Sequence, residues 1–230
     1  MECRYWLVVV CALGAASCAP AKEGVELKTH EDRLSYAIGT DFGATLKRQG
    51  VDIDLNIFTQ GVKDGADGKE LLLTPEEMKE TMLKFQSELQ KKQASITSER
   101  AEKNKKEGEA FLPKNKEKEG VITLSSGLQY SVLKEGDGEK PSETDTVTVH
   151  YTGTLIDGTV FDSSHKRGEP TTFHVNGVIS GWQEGLQLMK VGATWKFFIP
   201  SELAYGTRGA SALIGPNATL IFEVELISIN

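Results

Sequence analysis

The hydrophobic period of this chain changes once, and the change divides it. Over the first half, apolar residues recur with helical spacing. Thr29 stands before the first such run with Asp32 three residues on, the pattern of an N-cap and its reciprocal acid. Leu34, Ile38, Phe42 and Leu46 then follow at steps of four, along one face of a helix. Gly39 and Gly43 lie beside that stripe, where they would let a second helix approach closely. Asp54 is placed to cap a second helix carrying Leu55, Phe58 and Val62, ended by Gly65 or Gly68. Thr74-Pro75-Glu76-Glu77 supplies an N-cap, a first-turn proline and a capping-box glutamate for a third. Met78, Met82, Phe85 and Leu89 form its apolar seam. Between Lys91 and Glu109 the seam fades, and Ile96 is the only large apolar residue. That stretch reads as a solvated stalk helix, with disorder as the alternative. Helices with so narrow a seam make a poor independent core. The expectation is therefore pairing with a second copy, against a plain intramolecular core.

From Val121 the period becomes two. Leu128 to Leu133 reads as a strand, and Val147, Val149, Tyr151 and Leu155 alternate with Thr146, Thr148, His150 and Thr154. Asp157-Gly158 signals a hairpin turn. Trp195 to Ile199 is a strand stopped by Pro200, and Thr219 to Ile229 is the longest, with Leu220, Phe222, Val224 and Leu226 on one face. Gly181 to Met189 reads as the only helical stretch of this half, with Trp182, Leu186 and Met189 on one side. The fold class is α+β: a C-terminal antiparallel sheet wrapped on one short helix, joined by a long helix to an all-α N-terminal part.

Ahead of this pattern lies a different segment. Residues 5–17 form a short apolar run after Arg4, too short to span a membrane comfortably, ending in small residues. Ala15-Ala16-Ser17-Cys18 resembles a bacterial lipoprotein cleavage box, which would make Cys18 the lipidated first residue. An ordinary signal peptide cut near Ala19 or Ala21 is the alternative. All three cysteines lie in or at the edge of this leader, so the folded body has no disulfide framework and no catalytic thiol. The net charge of −7 disfavours a nucleic-acid partner.

The candidate chemistry narrows by exclusion. None of the four histidines, His30, His150, His165 and His174, stands at metal-ligand spacing, and no metal site is expected. His150 and His174 fit satisfied strand positions better than ligands. No GxSxG, P-loop or GxGxxG motif occurs. What remains is an apolar, aromatic-lined cleft with a few polar groups. Such a cleft suits a reaction without nucleophile or cofactor. Rotation about an X-Pro bond is one, with a barrier of about 18–20 kcal/mol from amide resonance. Stripping water from the imide carbonyl and donating to the twisted form would speed it.

The segments YTGTLIDGTVFDSS (151–164), GVISGWQEGLQLM (177–189), IPSELAYG (199–206) and IGPNATLIFEVELISI (214–229) resemble the FKBP-type peptidyl-prolyl cis-trans isomerases, in order and in spacing. The resemblance implies a pocket floored and walled by Tyr151, Phe161, Trp182 and Phe222. Val178 and Ile179 would form its rim, with the Ile179 N–H offered to a bound carbonyl, and Ile214 would close one side. Phe161, Asp162 and Tyr205 would be catalytic, with Arg167 the candidate partner of Asp162 and the Tyr205 hydroxyl a donor to substrate. Two positions depart from the family. Ala210 stands near a histidine of many eukaryotic members, and Thr171 replaces a common aromatic two residues before Phe173. The rim is less aromatic for it.

The N-terminal half resembles the dimerisation domain of the macrophage-infectivity-potentiator-like bacterial subfamily, through DRLSYAIGTDFGATL, FTQGVKDG and EAFLPKNKEKEGV. The implied organisation is a signal peptide over 1–17, a helical dimerisation domain over 18–73, a connecting helix over 74–118 and an isomerase domain over 119–230. The implied partners are proline-containing polypeptides, macrolides such as rapamycin, a second copy, and a membrane through the lipid anchor. No cofactor is implied. The protein would be an outer-membrane lipoprotein, or else soluble in the periplasm, and a folding chaperone besides. The rival from another class is a holdase that grips proline segments without catalysis.

Overall fold

A computed structural model describes residues 25–230, so the leader and Cys18 lie outside the described residues. The chain divides into two compact units, one ending at Thr74 and one running from Pro75 to Asn230.

In the first unit, α1 (His30–Gln49) starts on the expected capping box. Thr29 Oγ1 accepts from the Asp32 N–H at 3.0 Å, and Asp32 Oδ2 accepts from the Thr29 N–H at 2.8 Å. These bonds satisfy two backbone donors that a helix start leaves open. α2 (Leu55–Asp67) is capped by Asp54, which accepts from the N–H groups of Asn56 and Ile57, and ends at Gly68 with Gly65 inside it. The Phe42 and Phe58 rings stack 4.9 Å apart. Yet no residue of α1 is buried, and in α2 only Asp64 is. Leu34, Ile38, Leu55, Ile57 and Val62 all face solvent in the single chain.

The second unit opens with α3 (Pro75–Asn115), one helix of 41 residues, so the polar stretch from Lys91 is helical. Up to Glu99 it is exposed except at Met78, Phe85 and Leu89 of the expected seam, which are half-buried. Beyond that, one face packs on the sheet domain. Phe111 meets the Phe198 ring at 6.0 Å. Asn115 Nδ2 donates to Gln129 Oε1 at 2.9 Å, and Gln129 Nε2 donates to the Leu112 carbonyl at 2.9 Å.

The sheet has seven strands, all paired antiparallel. They are β1 (Val121–Thr123), β2 (Gln129–Lys134), β3 (Thr146–Thr154), β4 (Val160–Ser163), β5 (Thr171–His174), β6 (Thr194–Ile199) and β7 (Leu220–Ile229). The order is β1-β2-β6-β7-β3, and β3 then shares its outer side between two partners. Thr146–Val149 pair with β5, and Thr152–Thr154 with β4. Between the two pairings the chain lifts away as a short helix, α4 (Ser164–Arg167). The sequence pattern had no place for it, because four residues are too few to show a helical period.

Alternation decides the core. Val147, Val149 and Tyr151 of β3 and Leu220, Phe222, Val224 and Leu226 of β7 are buried on one face. α5 (Ser180–Leu186) lies across that face and buries Trp182 and Leu186, with Met189 just beyond its end. Its approach is close because Gly181 and Gly185 point at the sheet. A Cβ on Gly185 would stand 2.7 Å from the Phe197 ring, and one on Gly181 would stand 2.5 Å from Ile199. Both strand histidines are satisfied: His150 Nδ1 pairs with Ser164 Oγ at 2.9 Å and His174 Nδ1 with Thr146 Oγ1 at 2.8 Å.

Gly185→Ala therefore overpacks α5 against β6. The expected cost is about 1–3 kcal/mol, read as a lower urea midpoint at unchanged m-value. A wild-type midpoint would mean that helix and sheet are free to separate.

Candidate active site

The cleft is an opening in the aromatic core. Tyr151 from β3, Phe173 from β5, Trp182 from α5 and Phe222 from β7 meet at one point. Trp182 stands edge-to-face with three of them: Tyr151 at 5.3 Å, Phe173 at 5.8 Å and Phe222 at 5.1 Å. Phe161 of β4 stands edge-on to Phe222 at 5.4 Å. Edge-to-face pairs set a ring's positive rim against its neighbour's negative face, which fixes the angle between them as well as the distance. The rings thus hold a rigid floor without closing over it. Above them is a cleft of about 560 Å³, lined also by Asp162, Gly177, Val178, Ile179, Tyr205 and Ile214.

Every site residue expected from sequence, apart from Cys18, lines this cleft: Phe161, Asp162 and Tyr205 on one count, and Tyr151, Val178, Ile179, Trp182, Ile214 and Phe222 on the other. Trp182 is 3% exposed and Tyr205 41%, so floor and rim are distinct. Ile179 precedes α5. Its carbonyl accepts from the N–H groups of Trp182 and Gln183, while its own N–H has no acceptor among the described residues. Two lining residues escaped the sequence reading. Phe173 sits at an inward position of the Thr171–His174 alternation, which was signal enough to find it. Gly177 brings no side chain and left no signal. Gln183 was also missed. Its amide donates to the Val178 carbonyl at 2.7 Å and holds the Val178–Ile179 segment in place.

One polar network borders the floor. Asp162 accepts from the Tyr151 hydroxyl and pairs with the Arg167 guanidinium. Arg167 Nη2 also donates to Tyr151 Oη and to Thr171 Oγ1, each at 3.0 Å, and the guanidinium lies 5.5 Å over the Tyr151 ring. Thr171, the position read above as departing from the family's aromatic, supplies a hydroxyl that accepts from Arg167. Burial pushes the Asp162 carboxyl upward, but the bonds from Tyr151 and Arg167 and the charge of Arg167 outweigh it, so its pKa is held below the usual carboxylate value. Burial first, and the Asp162 carboxylate second, push the Tyr151 phenol up. At neutral pH the cleft therefore presents a fixed carboxylate and a neutral phenol beside apolar rings.

A sheet curled on one helix, with a cleft of aromatic rings bordered by one carboxylate, has the make-up of an apolar ligand-binding class of site. The sequence comparisons narrow that class. Residues 137–227 match the sequence model described as FKBP-type peptidyl-prolyl cis-trans isomerase. Residues 31–132 match the domain amino terminal to FKBP-type peptidyl-prolyl isomerase. The chain is 48% identical to the "Outer membrane protein MIP" of Legionella longbeachae, over 100% of this chain and 98% of that one. It is 46% identical to the "Peptidyl-prolyl cis-trans isomerase Mip" of Coxiella burnetii, over 91% of each. Among solved structures, FkpA from Escherichia coli superposes with a TM-score of 0.68 at 38% identity, covering 89% of this chain and 99% of that one. The chain belongs to the FKBP-type peptidyl-prolyl cis-trans isomerases, and it is a peptidyl-prolyl cis-trans isomerase acting on proline-containing polypeptides. Within that family it is of the form that carries a separate helical domain ahead of the isomerase domain.

The folded pKa of Asp162 lies below its unfolded value of about 3.9. Its contribution to stability is thus complete above that value and is lost as pH falls through the folded pKa. A carboxyl-carbon NMR titration should find the Asp162 midpoint below that of an ordinary aspartate, and Arg167→Ala should move it upward. A midpoint indifferent to Arg167→Ala would detach the guanidinium from the carboxylate.

Proposed function

We propose that the cleft over Trp182 is the prolyl site, and that catalysis there is noncovalent. The observation that carries this reading is the edge-to-face box of Tyr151, Phe173, Trp182 and Phe222 beneath an open cleft of about 560 Å³. An X-Pro segment resting on Trp182 leaves water on its prolyl side. The planar imide is more polar than the twisted one, so the dry site disfavours the ground state. Phe161 and Asp162 stand at one wall, where the carboxylate's fixed charge acts on the dipole of the turning imide. The Ile179 N–H and the Tyr205 hydroxyl are the free donors at the rim and suit the carbonyls flanking the proline. Val178 and Ile214 complete the apolar walls. The same floor suits the pipecolyl ring of rapamycin, which should compete with substrate.

The exposed faces of α1 and α2 support pairing with a second copy, since large exposed apolar patches mark interaction surfaces. Two clefts in one dimer would hold an unfolded chain at two points and raise its effective affinity, which supports an added chaperone role. The names of the relatives and the leader support export. No helix among the described residues is long and apolar enough to cross a membrane. A lipid on Cys18 is the anchor we assign, with the outer membrane as its site. The domain division we adopt is the one expected from sequence, with the dimerisation part over 18–73 and the isomerase part from 119.

Asp162→Leu should lower kcat/KM for a Leu-Pro peptide about tenfold, or about 1.4 kcal/mol of transition-state stabilisation, in a protein that unfolds normally. Unchanged turnover would remove Asp162 from the mechanism. Rapamycin should block the remaining activity, and turnover indifferent to it would place the prolyl site elsewhere.

A chain starting at Thr74 should sediment as a monomer and still isomerise short peptides, whereas the chain starting at Cys18 should sediment as a dimer. A dimeric truncation would move the interface out of the first unit.

A further inference from the structure

Ile214 reaches the cleft from a loop, Gly209–Thr219, that the isomerase body only half supports. The loop is bonded within itself on its inner side. Ala210 N–H donates to the Ile214 carbonyl at 2.9 Å, and Ser211 Oγ accepts from the N–H groups of Leu213 and Ile214. On its outer side the carbonyls of Ala212, Leu213 and Pro216 face α3. The Arg100 guanidinium donates to two successive ones, to Ala212 at 2.6 Å and to Leu213. Asn104 Nδ2 donates to the Pro216 carbonyl at 2.7 Å, and Asn217 Nδ2 returns a bond to the Ala101 carbonyl at 3.3 Å. The Arg100 stem lies so close over Gly215 that a Cβ there would meet Nε at 2.5 Å. The main-chain N–H of Asn217 donates to the Gly206 carbonyl at 2.8 Å, next to Tyr205. The loop therefore braces two residues of the cleft, and α3 braces the loop.

We infer that Arg100 is a positioning residue for substrate binding: by holding the Ala212 and Leu213 carbonyls it fixes Ile214 against the cleft, so the helix preceding the isomerase body sets how tightly that body grips its peptide. This rests on the reading of the cleft as the prolyl site. The residue type fits the task. A guanidinium presents two parallel N–H groups in a rigid fork, which suits two adjacent carbonyls, whereas an ammonium is a single point of attachment. The carbonyls involved belong to exposed residues, so losing Arg100 lets water take its place and strands no buried polar group. The loop then loosens without the domain unfolding. A looser wall must be ordered again each time a peptide binds, which weakens binding in ground and transition states alike.

The test uses the full mature chain and a Leu-Pro-Phe peptide, with kcat and KM measured separately and amide hydrogen exchange followed over residues 210–217. Arg100→Ala should raise KM about fivefold while kcat stays within about twofold, the signature of lost uniform binding. Exchange over the loop should quicken in the same variant. Arg100→Lys should recover part of both effects, and Asn104→Ala should repeat them more weakly. Lys105→Ala, on the exposed side of the same helix, should match the unsubstituted protein in both readouts. The inference is overturned if Arg100→Ala leaves KM and loop exchange unchanged, or if Lys105→Ala shifts them equally. Failure of the cleft reading shows itself separately, as absent turnover or rapamycin-insensitive turnover in the unsubstituted protein.

Discussion

The contact on which the rest depends is the packing of Trp182 against three other rings. It brings together α5 and strands β3, β5 and β7, of which β3 and β7 lie far from α5 in the chain. Those rings are at once the end of the core and the floor of the cleft. A flexible aliphatic floor would sag into the space above it, whereas aromatic rings locked at right angles stay open. The glycines that face Ile199 and Phe197 serve the same end, because they let α5 lie low enough for Trp182 to reach the sheet.

Around this apolar centre the charged groups are few and committed. The Asp162 carboxylate is bonded by Tyr151 and Arg167, and Arg167 is anchored in turn by Thr171. The network spans the place where β3 exchanges one partner for another and α4 fills the gap. A regular sheet would have paired straight through that point and left the carboxylate no cation on α4 to meet. The irregularity of the edge is therefore what places the charge beside the cleft.

The long helix docks on the isomerase body through polar contacts. Its polar sequence reads as a surface without a partner, yet Arg100, Asn104, Gly108, Phe111 and Asn115 recur on one face and dock against the isomerase body. Most of this docking is by hydrogen bonds to main-chain carbonyls. Hydropathy registers buried side chains, so an interface built from amides and a guanidinium leaves it blank.

By itself, the sequence determined whatever depends on neighbours in the chain. The capping box at Thr29, the cap at Asp54 and the start at Thr74-Pro75 are local bonds and were legible, as was the alternation of β3 and β7. The cleft aromatics other than Phe173 were legible through their spacing and through resemblance to a family. The second of the two glycines offered as the end of α2 proved to be the one that ends it, since propensity could not separate them. Tertiary structure alone decided the partner change along β3, the link from Arg167 to the Tyr151 hydroxyl and the grip of Arg100 on Leu213. The last joins residues 113 apart in sequence. Such contacts carry no period and no local propensity, and they exist only after the sheet has closed on its helix.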